Sequence, residues 1–337
     1  MIDFGIVGQG LAGSWLAMTL IQAGYSVLVI DDAQPDSASR IAAGLLNPVT
    51  GPRLTLSPHY PHDWHYSIAR YRALESQLST PFLTEYPMSR LLNNASERVQ
   101  LAQRLQNPLF ASLVSPSLPP AGWQSEFGAI TYPAHQLNMT VYLDAIRDFL
   151  KANKALTTTT VSLDDCIVET DTVRWGAHRF SALIFCSGAR DVAQRWFSEI
   201  ELKPAKGEIV EIECPGLSPA QIVNWGHWLC PSDTGLFKLG ASAYWQWSTP
   251  EPDPKHVAHL VADLRSRLTI PFKVGKATAG IRPSARNRRA IYGFSRQSPR
   301  IGCITGLGGT GTITSPLIAE RFVQAWRNTP FFPLRLL

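Results

Sequence analysis

Three glycines and one carboxylate carry the first chemical signal in the chain. They stand in FGIVGQGLAGSWLAMTLIQAGYSVLVIDD, where Gly8, Gly10 and Gly13 keep a G-x-G-x-x-G spacing and Asp31 follows the second apolar run. Between a strand and a helix that spacing serves a dinucleotide. The first glycine makes the tight turn, the second lets backbone approach a pyrophosphate, and the third lets helix pack on sheet. The phosphates then rest on the positive end of the helix, whose first turn is Leu11 and Ala12, and no cationic side chain is required. Asp31 lies near the roughly 20-residue distance at which an acid takes a ribose hydroxyl.

A second cluster lies near the other end of the chain. Gly306, Gly308, Gly309, Thr310 and Gly311 separate a strand at 301–305 from a helix expected to start at Ser315-Pro316, with proline in its first turn. Loop amides and a helix N-terminus could stabilise developing negative charge. The alternative is a tight turn that needs positive φ.

Arg282 is the cation best suited to bind a substrate, because a guanidinium grips a carboxylate through two parallel hydrogen bonds. The alternatives are a surface loop or a structural ion pair. Its neighbours Arg286, Arg288 and Arg289 form a basic loop, either solvated or able to meet phosphate. His227, Trp228, Tyr244 and Trp245 lie on expected sheet strands, where aromatics are core or a substrate cage; Tyr244 is kept as the candidate catalytic aromatic. Arg53 reads as a solvated loop cation or a guard at a pocket mouth. The eight histidines give no metal-ligand signal.

The stretch 4–30, which holds the first of these motifs, carries no charged side chain, and a bilayer span needs about 20 apolar residues. No Lys or Arg precedes it, Gly24 interrupts it and its glycines are ordered, so it reads as strand 4–7, helix 11–23 and strand 27–30, with no membrane span. The 337 residues, 45% hydrophobic and 17% charged, fit a folded chain of one large or two ordinary domains. A net charge of +5 permits an acidic partner without demanding one. Five cysteines without a C-x-x-C pair, and no signal peptide, favour a reducing cytoplasm.

Helices are expected at 63–77, 96–106, 137–151 and 257–268, with 108–122 irregular. Strands are expected around 157–161 and 166–175, an apolar strand ends in glycine within 181–189, and 207–245 alternates like antiparallel strands. Nucleotide-type elements thus occupy both ends and the middle. The expected division is a discontinuous α/β cofactor domain of 1–52, 130–200 and 275–337, with an α+β antiparallel-sheet domain inserted as 53–129 and 201–274.

In this order the segments resemble the D-amino-acid oxidase/glycine oxidase family of FAD-dependent oxidoreductases. The resemblance rests on the first glycine motif with Asp31; on Ala42-Ala43-Gly44 in SRIAAGLLNP; and on Phe185-Cys186-Ser187-Gly188-Ala189. It rests further on Pro204-x-Lys206-Gly207-Glu208, on Gly280-Ile281-Arg282-Pro283 and on the glycine loop 306–311. Two positions depart from the pattern: Asp31 stands where most relatives have Glu, and Asn287 at or near a usual Asp.

The resemblance implies a Rossmann-like FAD-binding domain with an inserted antiparallel-sheet substrate domain. FAD would be non-covalent, since no flavin-linking cysteine stands near Arg282. It also implies oxidation of a C–N bond of a small amino acid or amine by hydride transfer to flavin N5, with Arg282 on the substrate carboxylate. No motif assigns the electron acceptor. Two other readings stay open: a tRNA-modifying flavoenzyme acting on a modified uridine, which the arginine-rich loop motivates, and a nucleotide-binding protein without turnover.

Overall fold

A computed structural model describes residues 1–57, 60–190 and 196–337. Two sheets organise them. The first runs Arg335–Leu336, Ile291–Phe294, Ile301–Thr305, His178–Phe185, Ile2–Val7, Val27–Asp31 and Leu156–Thr158. Its strands from Ile301–Thr305 to Leu156–Thr158 are parallel. Parallel strands are covered on both faces, which is why these segments are nearly continuous apolar runs. Side chains alternate between the faces: Ile6 and Ile184 pack under the helices Leu11–Gln22, Met139–Ala152 and Gly311–Asn328, whereas Leu183 and Phe185 face Val173, Trp196 and Phe197.

The second sheet runs Lys273–Arg282, Ala205–Glu213, Phe237–Gly240, Trp228–Pro231, Ile222–Asn224, Leu83–Leu91, Ala129–Leu137 and Leu45–Leu46. Neighbours are antiparallel except Ile222–Asn224 beside Leu83–Leu91. The helix Pro254–Arg265 buries Leu260, Val261 and Leu264 against Val210 and Ile212 on one face of it.

This pairing moves the expected boundaries at two places. Ala129–Leu137 and Lys273–Arg282 fall almost wholly within the stretches expected in the cofactor domain, yet they are ladder partners of Leu83–Leu91 and Ala205–Glu213. Lys273–Arg282 is an edge strand with its first four residues exposed, so its sequence shows no apolar alternation. The stretch 108–122, expected to be irregular, contains a helix at Pro108–Leu113. Asn107 caps it, its Oδ1 accepting from the amides of Leu109 and Phe110 at 2.9 and 3.3 Å. Leu156–Thr158 and the Cys166–Val168/Val173–Trp175 hairpin do not pair with each other. The former extends the parallel sheet and the latter joins His178–Phe185.

The last helix begins at Gly311, four residues before the expected start, which puts Pro316 in its interior. A proline there supplies no N–H to the carbonyl four residues back. That carbonyl, Thr312 O, is taken instead by the Tyr71 hydroxyl at 2.9 Å, and Ser67 Oγ donates to the next one, Ile313 O, at 2.7 Å. Both donors lie on the helix His62–Leu78, so the side-chain bonds that repair the proline also dock one helix on the other. Tyr71→Phe would leave a buried carbonyl without a donor. We expect a loss of about 1–3 kcal/mol, read as a lower urea midpoint at unchanged slope; an unchanged midpoint would show that this bond carries no weight.

Candidate active site

The sequence motifs converge on a crevice along the seam of the two sheets. At its centre Gly8 turns with φ 98°, and a Cβ there would stand 2.7 Å from Cys186 O. A Cβ on Gly13 would stand 1.9 Å from Gly8 O, so turn and helix touch through bare backbone. Gly10 is the N-cap of Leu11–Gln22 without a side-chain bond to its first turn, and Leu11 N donates to Ser39 Oγ at 3.0 Å. A helix end left open in this way, behind glycines that admit no side chain, fits a pyrophosphate.

Asp31 is more heavily engaged than a free ribose ligand. Its Oδ1 accepts from Gln9 N at 2.8 Å, and its Oδ2 accepts from Ala33 N at 2.8 Å and Arg147 Nη1 at 2.9 Å. A carboxylate has about four acceptor sites, so one remains for a hydroxyl. Arg147, buried on the helix Met139–Ala152, also donates to Gln9 Oε1 and Thr158 Oγ1, which ties the turn, the acid and the neighbouring strand together.

Three cavities adjoin one another, the first over the end of the parallel sheet and the other two along the seam. A space of about 440 Å³ between Asp31, Asp32, Val161 and Arg190 adjoins the central cleft, also about 440 Å³, where Gly8, Gly10, Leu11, Ala12 and Gly188 lie. Asp32 and Arg190 form an ion pair on their common wall, and the Arg190 hydrogen bond lowers the Asp32 pKa against the effect of burial. The central cleft continues past Leu11, Ser39 and Leu307 into an inner chamber of about 290 Å³. A row of this kind suits an extended dinucleotide such as FAD, with the ring system innermost.

Two sides of the inner chamber are built from backbone and small side chains. Ala42, Ala43 and Gly44 form one side, and a Cβ on Gly44 would lie 1.8 Å from Leu137 O. Gly308, Gly309 and Gly311 form another, at the N-terminus of Gly311–Asn328, where no side chain caps the helix. Thr310 is the N-cap and its hydroxyl donates to Leu307 O, so it does not line the chamber. Trp228 does.

Arg282 also enters this chamber, half-buried at the end of its strand. Nη2 donates to Ser242 O at 3.2 Å. The guanidinium lies across Gly207, where a Cβ would stand 2.2 Å from Nη2 and 2.7 Å from Ser242 O. Burial lowers the Arg282 pKa and the charge of Glu208 raises it in part. Among the described residues that line the chamber, Arg282 is the only ionisable side chain.

The other candidates lie elsewhere. Tyr244 stacks on His256, ring centroids 3.3 Å apart, and lines neither the chamber nor the central cleft. The reason is its bridge to Lys206, N to O at 2.9 Å in both directions, which seats the ring beside the helix Pro254–Arg265. His227 binds Asp263 on that helix at 2.8 Å. Trp245 is 51% exposed with the Lys203 amine over its ring, and Arg53 is exposed. Arg286, Arg288 and Arg289 are exposed, and Arg286 pairs with Glu201. Residues that sequence reasoning passed over are Gln9, Ser39, Arg147 and Ser242. Only Arg147 carried a signal, a cation four residues after Leu143 on the apolar face of its helix.

The family described as DAO, FAD dependent oxidoreductase, matches residues 3–325. Among solved structures, glycine oxidase from Bacillus cereus superposes with a TM-score of 0.81 at 16% identity, over 97% of this chain and 95% of that one. Iminodiacetate oxidase from Chelativorans sp. superposes at 0.76 and 16% identity, over 97% and 96%. Among curated proteins, the tRNA 5-methylaminomethyl-2-thiouridine biosynthesis bifunctional protein MnmC of Acinetobacter baylyi is 23% identical over 95% of this chain. The chain spans about half, 52%, of that relative's length. With the family matching nearly end to end, and glycine cradle, acid and chamber in their places, the chain belongs to the DAO family of FAD-dependent oxidoreductases.

Proposed function

We propose that this chain oxidises the C–N bond of an amino acid or N-substituted glycine whose carboxylate is held by Arg282. The observation that carries the reading is an unbalanced guanidinium. A guanidinium has several N–H donors, and among the described residues Arg282 makes one protein hydrogen bond in a chamber with no other charged lining group. A carboxylate bound there through two parallel bonds would complete those donors and fix the adjacent C–H. Glycine and iminodiacetate, after which two fold relatives are named, both carry an amine one carbon from a carboxylate.

The flavin supplies the oxidant when bound. The chain's own part is positioning and field. Trp228 and Ile209 restrict the substrate side of the chamber, while the amides at the start of Gly311–Asn328 offer positive potential at its other wall. Among the described lining residues none is an Asp, Glu, His, Lys, Tyr or Cys, so no side chain there takes a proton from the amine. The substrate must then react as the free amine.

A second reading, action on an aminomethyl group of a tRNA base, is favoured by the likeness to the Acinetobacter protein and by the exposed Arg286, Arg288 and Arg289. Their loop borders the chamber's glycine turn, since a Cβ on Gly306 would lie 3.2 Å from Arg289 O. A salt-sensitive complex with tRNA would support this reading, and no complex at low salt would remove it.

The main reading is tested by mixing the FAD-loaded protein anaerobically with glycine, sarcosine, iminodiacetate and proline; bleaching of the flavin band by at least one is expected, and by none would refute it. Arg282→Met should raise KM for that substrate about 100-fold or more, from two charge-assisted bonds of about 1.5–3 kcal/mol each. Gly207→Ala, which drives a methyl into the guanidinium, should act in the same direction. The bleaching rate constant at subsaturating substrate should rise about tenfold per pH unit below the substrate amine's own pKa, because only the neutral amine reacts. A rate limited by a group titrating far below that pKa would show that a protein base is present.

A further inference from the structure

Behind the chamber wall lies a buried charged cluster that the proposed chemistry does not use. Glu208 and Lys206, neighbours of Gly207 on Ala205–Glu213, point away from the chamber and are 0% and 2% exposed. Lys206 Nζ donates to Thr249 O at 3.1 Å and Glu251 O at 2.6 Å, and lies 3.6 Å from Glu208 Oε1. His256 Nδ1 meets that same carboxylate oxygen at 3.1 Å, and Asp253 is 3.9 Å from His256 Nε2. Burying two opposite charges is not a gain in itself, and in some proteins such a pair serves instead to specify an arrangement.

The arrangement specified here is that of Ser242. Its Oγ accepts from Glu208 N at 2.7 Å and donates to Glu208 Oε2. The serine side chain thus stands in for a backbone ladder partner, and the carbonyl of Ser242, released from the ladder, accepts from Arg282 Nη2. One residue binds the buried carboxylate through its side chain and the chamber arginine through its main chain. Two residues further on, Tyr244 is bridged to Lys206 and stacked on His256, so the segment is pinned at a second point.

We propose that Glu208, acting through Ser242, is the positioning element for Arg282: it holds the one carbonyl that orients the guanidinium for a carboxylate ligand. This rests on the reading of Arg282 as the carboxylate site. Because the guanidinium lies on bare backbone at Gly207, no side chain there restrains it, and the Ser242 carbonyl sets the direction of its free N–H groups. Neither Glu208 nor Ser242 lines the chamber, so both would act through Arg282 and not on a reacting atom.

The test is titration of the FAD-loaded protein with acetate, read as a perturbation of the flavin absorbance, in wild type and variants. Ser242→Ala should bind acetate about tenfold more weakly with FAD affinity unchanged, as misplacing a binding group does. Ser242→Thr, which keeps the hydroxyl, should restore the affinity. Glu208→Gln, which still accepts from Ser242, should stay within about threefold of wild type. Should Ser242→Ala fail to take up FAD, Ser242→Cys, with its weak thiol donor, replaces it under the same expectation.

Wild-type acetate affinity in the alanine or cysteine variant would overturn the proposal, as would failure of the threonine variant to recover. Arg282→Met separates the two levels. If it binds acetate as wild type does, the carboxylate site itself is wrong; if it loses acetate while Ser242→Ala does not, only the positioning role falls.

Discussion

A guanidinium laid across bare backbone is the constraint on which the site depends. Arg282 occupies the space that any side chain at position 207 would fill, and it is the sole ionisable group among the described residues around the inner chamber. A desolvated cation of this kind is stable only with hydrogen-bonding partners, and the protein provides one through Ser242. The missing partner defines the ligand better than any positive feature of the wall. We take that missing partner to be a small planar anion, a carboxylate, sharing the chamber with a flavin ring.

The same economy of side chains joins the two sheets. A Cβ on Gly280 would lie 3.3 Å from Ala38 Cα, one on Gly44 would meet Leu137 O, and one on Gly311 would stand 3.2 Å from Leu11 Cδ2. The first crosses the seam between the sheets, the second lies where Gly44 leads into the second sheet, and the third joins two helices that cover the parallel sheet. The short helix Ala38–Ile41 and the start of Gly311–Asn328 are thereby held against Lys273–Arg282 and Leu11–Gln22. Helix N-termini and glycine turns then face the crevice, which suits a cofactor that is mostly phosphate, carbonyl and heterocycle.

How much of this could be read from the residues follows from the range of the forces involved. The βαβ unit around Gly8, Gly10, Gly13 and Asp31 was legible because its chemistry is local: turn, helix start and strand end lie within one stretch. Arg282 and the glycine loop were legible as residue types beside recognisable elements. That the strands Ala129–Leu137 and Lys273–Arg282 pair within the second sheet was not legible, because a strand's ladder is decided by a partner far along the chain. Pro316 misled for the same reason. Its place inside a helix depends on Tyr71, a donor 241 positions from the Thr312 carbonyl it satisfies. Tyr244 pointed to a cage only as an aromatic on a strand, and a stacking partner on another helix drew it away from the chamber.

We propose that the innermost chamber holds a carboxylate on Arg282 beside the flavin. A crystal structure of the FAD-loaded protein soaked with iminodiacetate tests it most directly. The account predicts one carboxylate of the ligand within hydrogen-bond distance of two Arg282 nitrogens, with the isoalloxazine ring lying between Ala42–Gly44 and Gly308–Gly311. A carboxylate bound elsewhere, or an Arg282 turned onto a protein partner while the chamber holds only flavin, would contradict it.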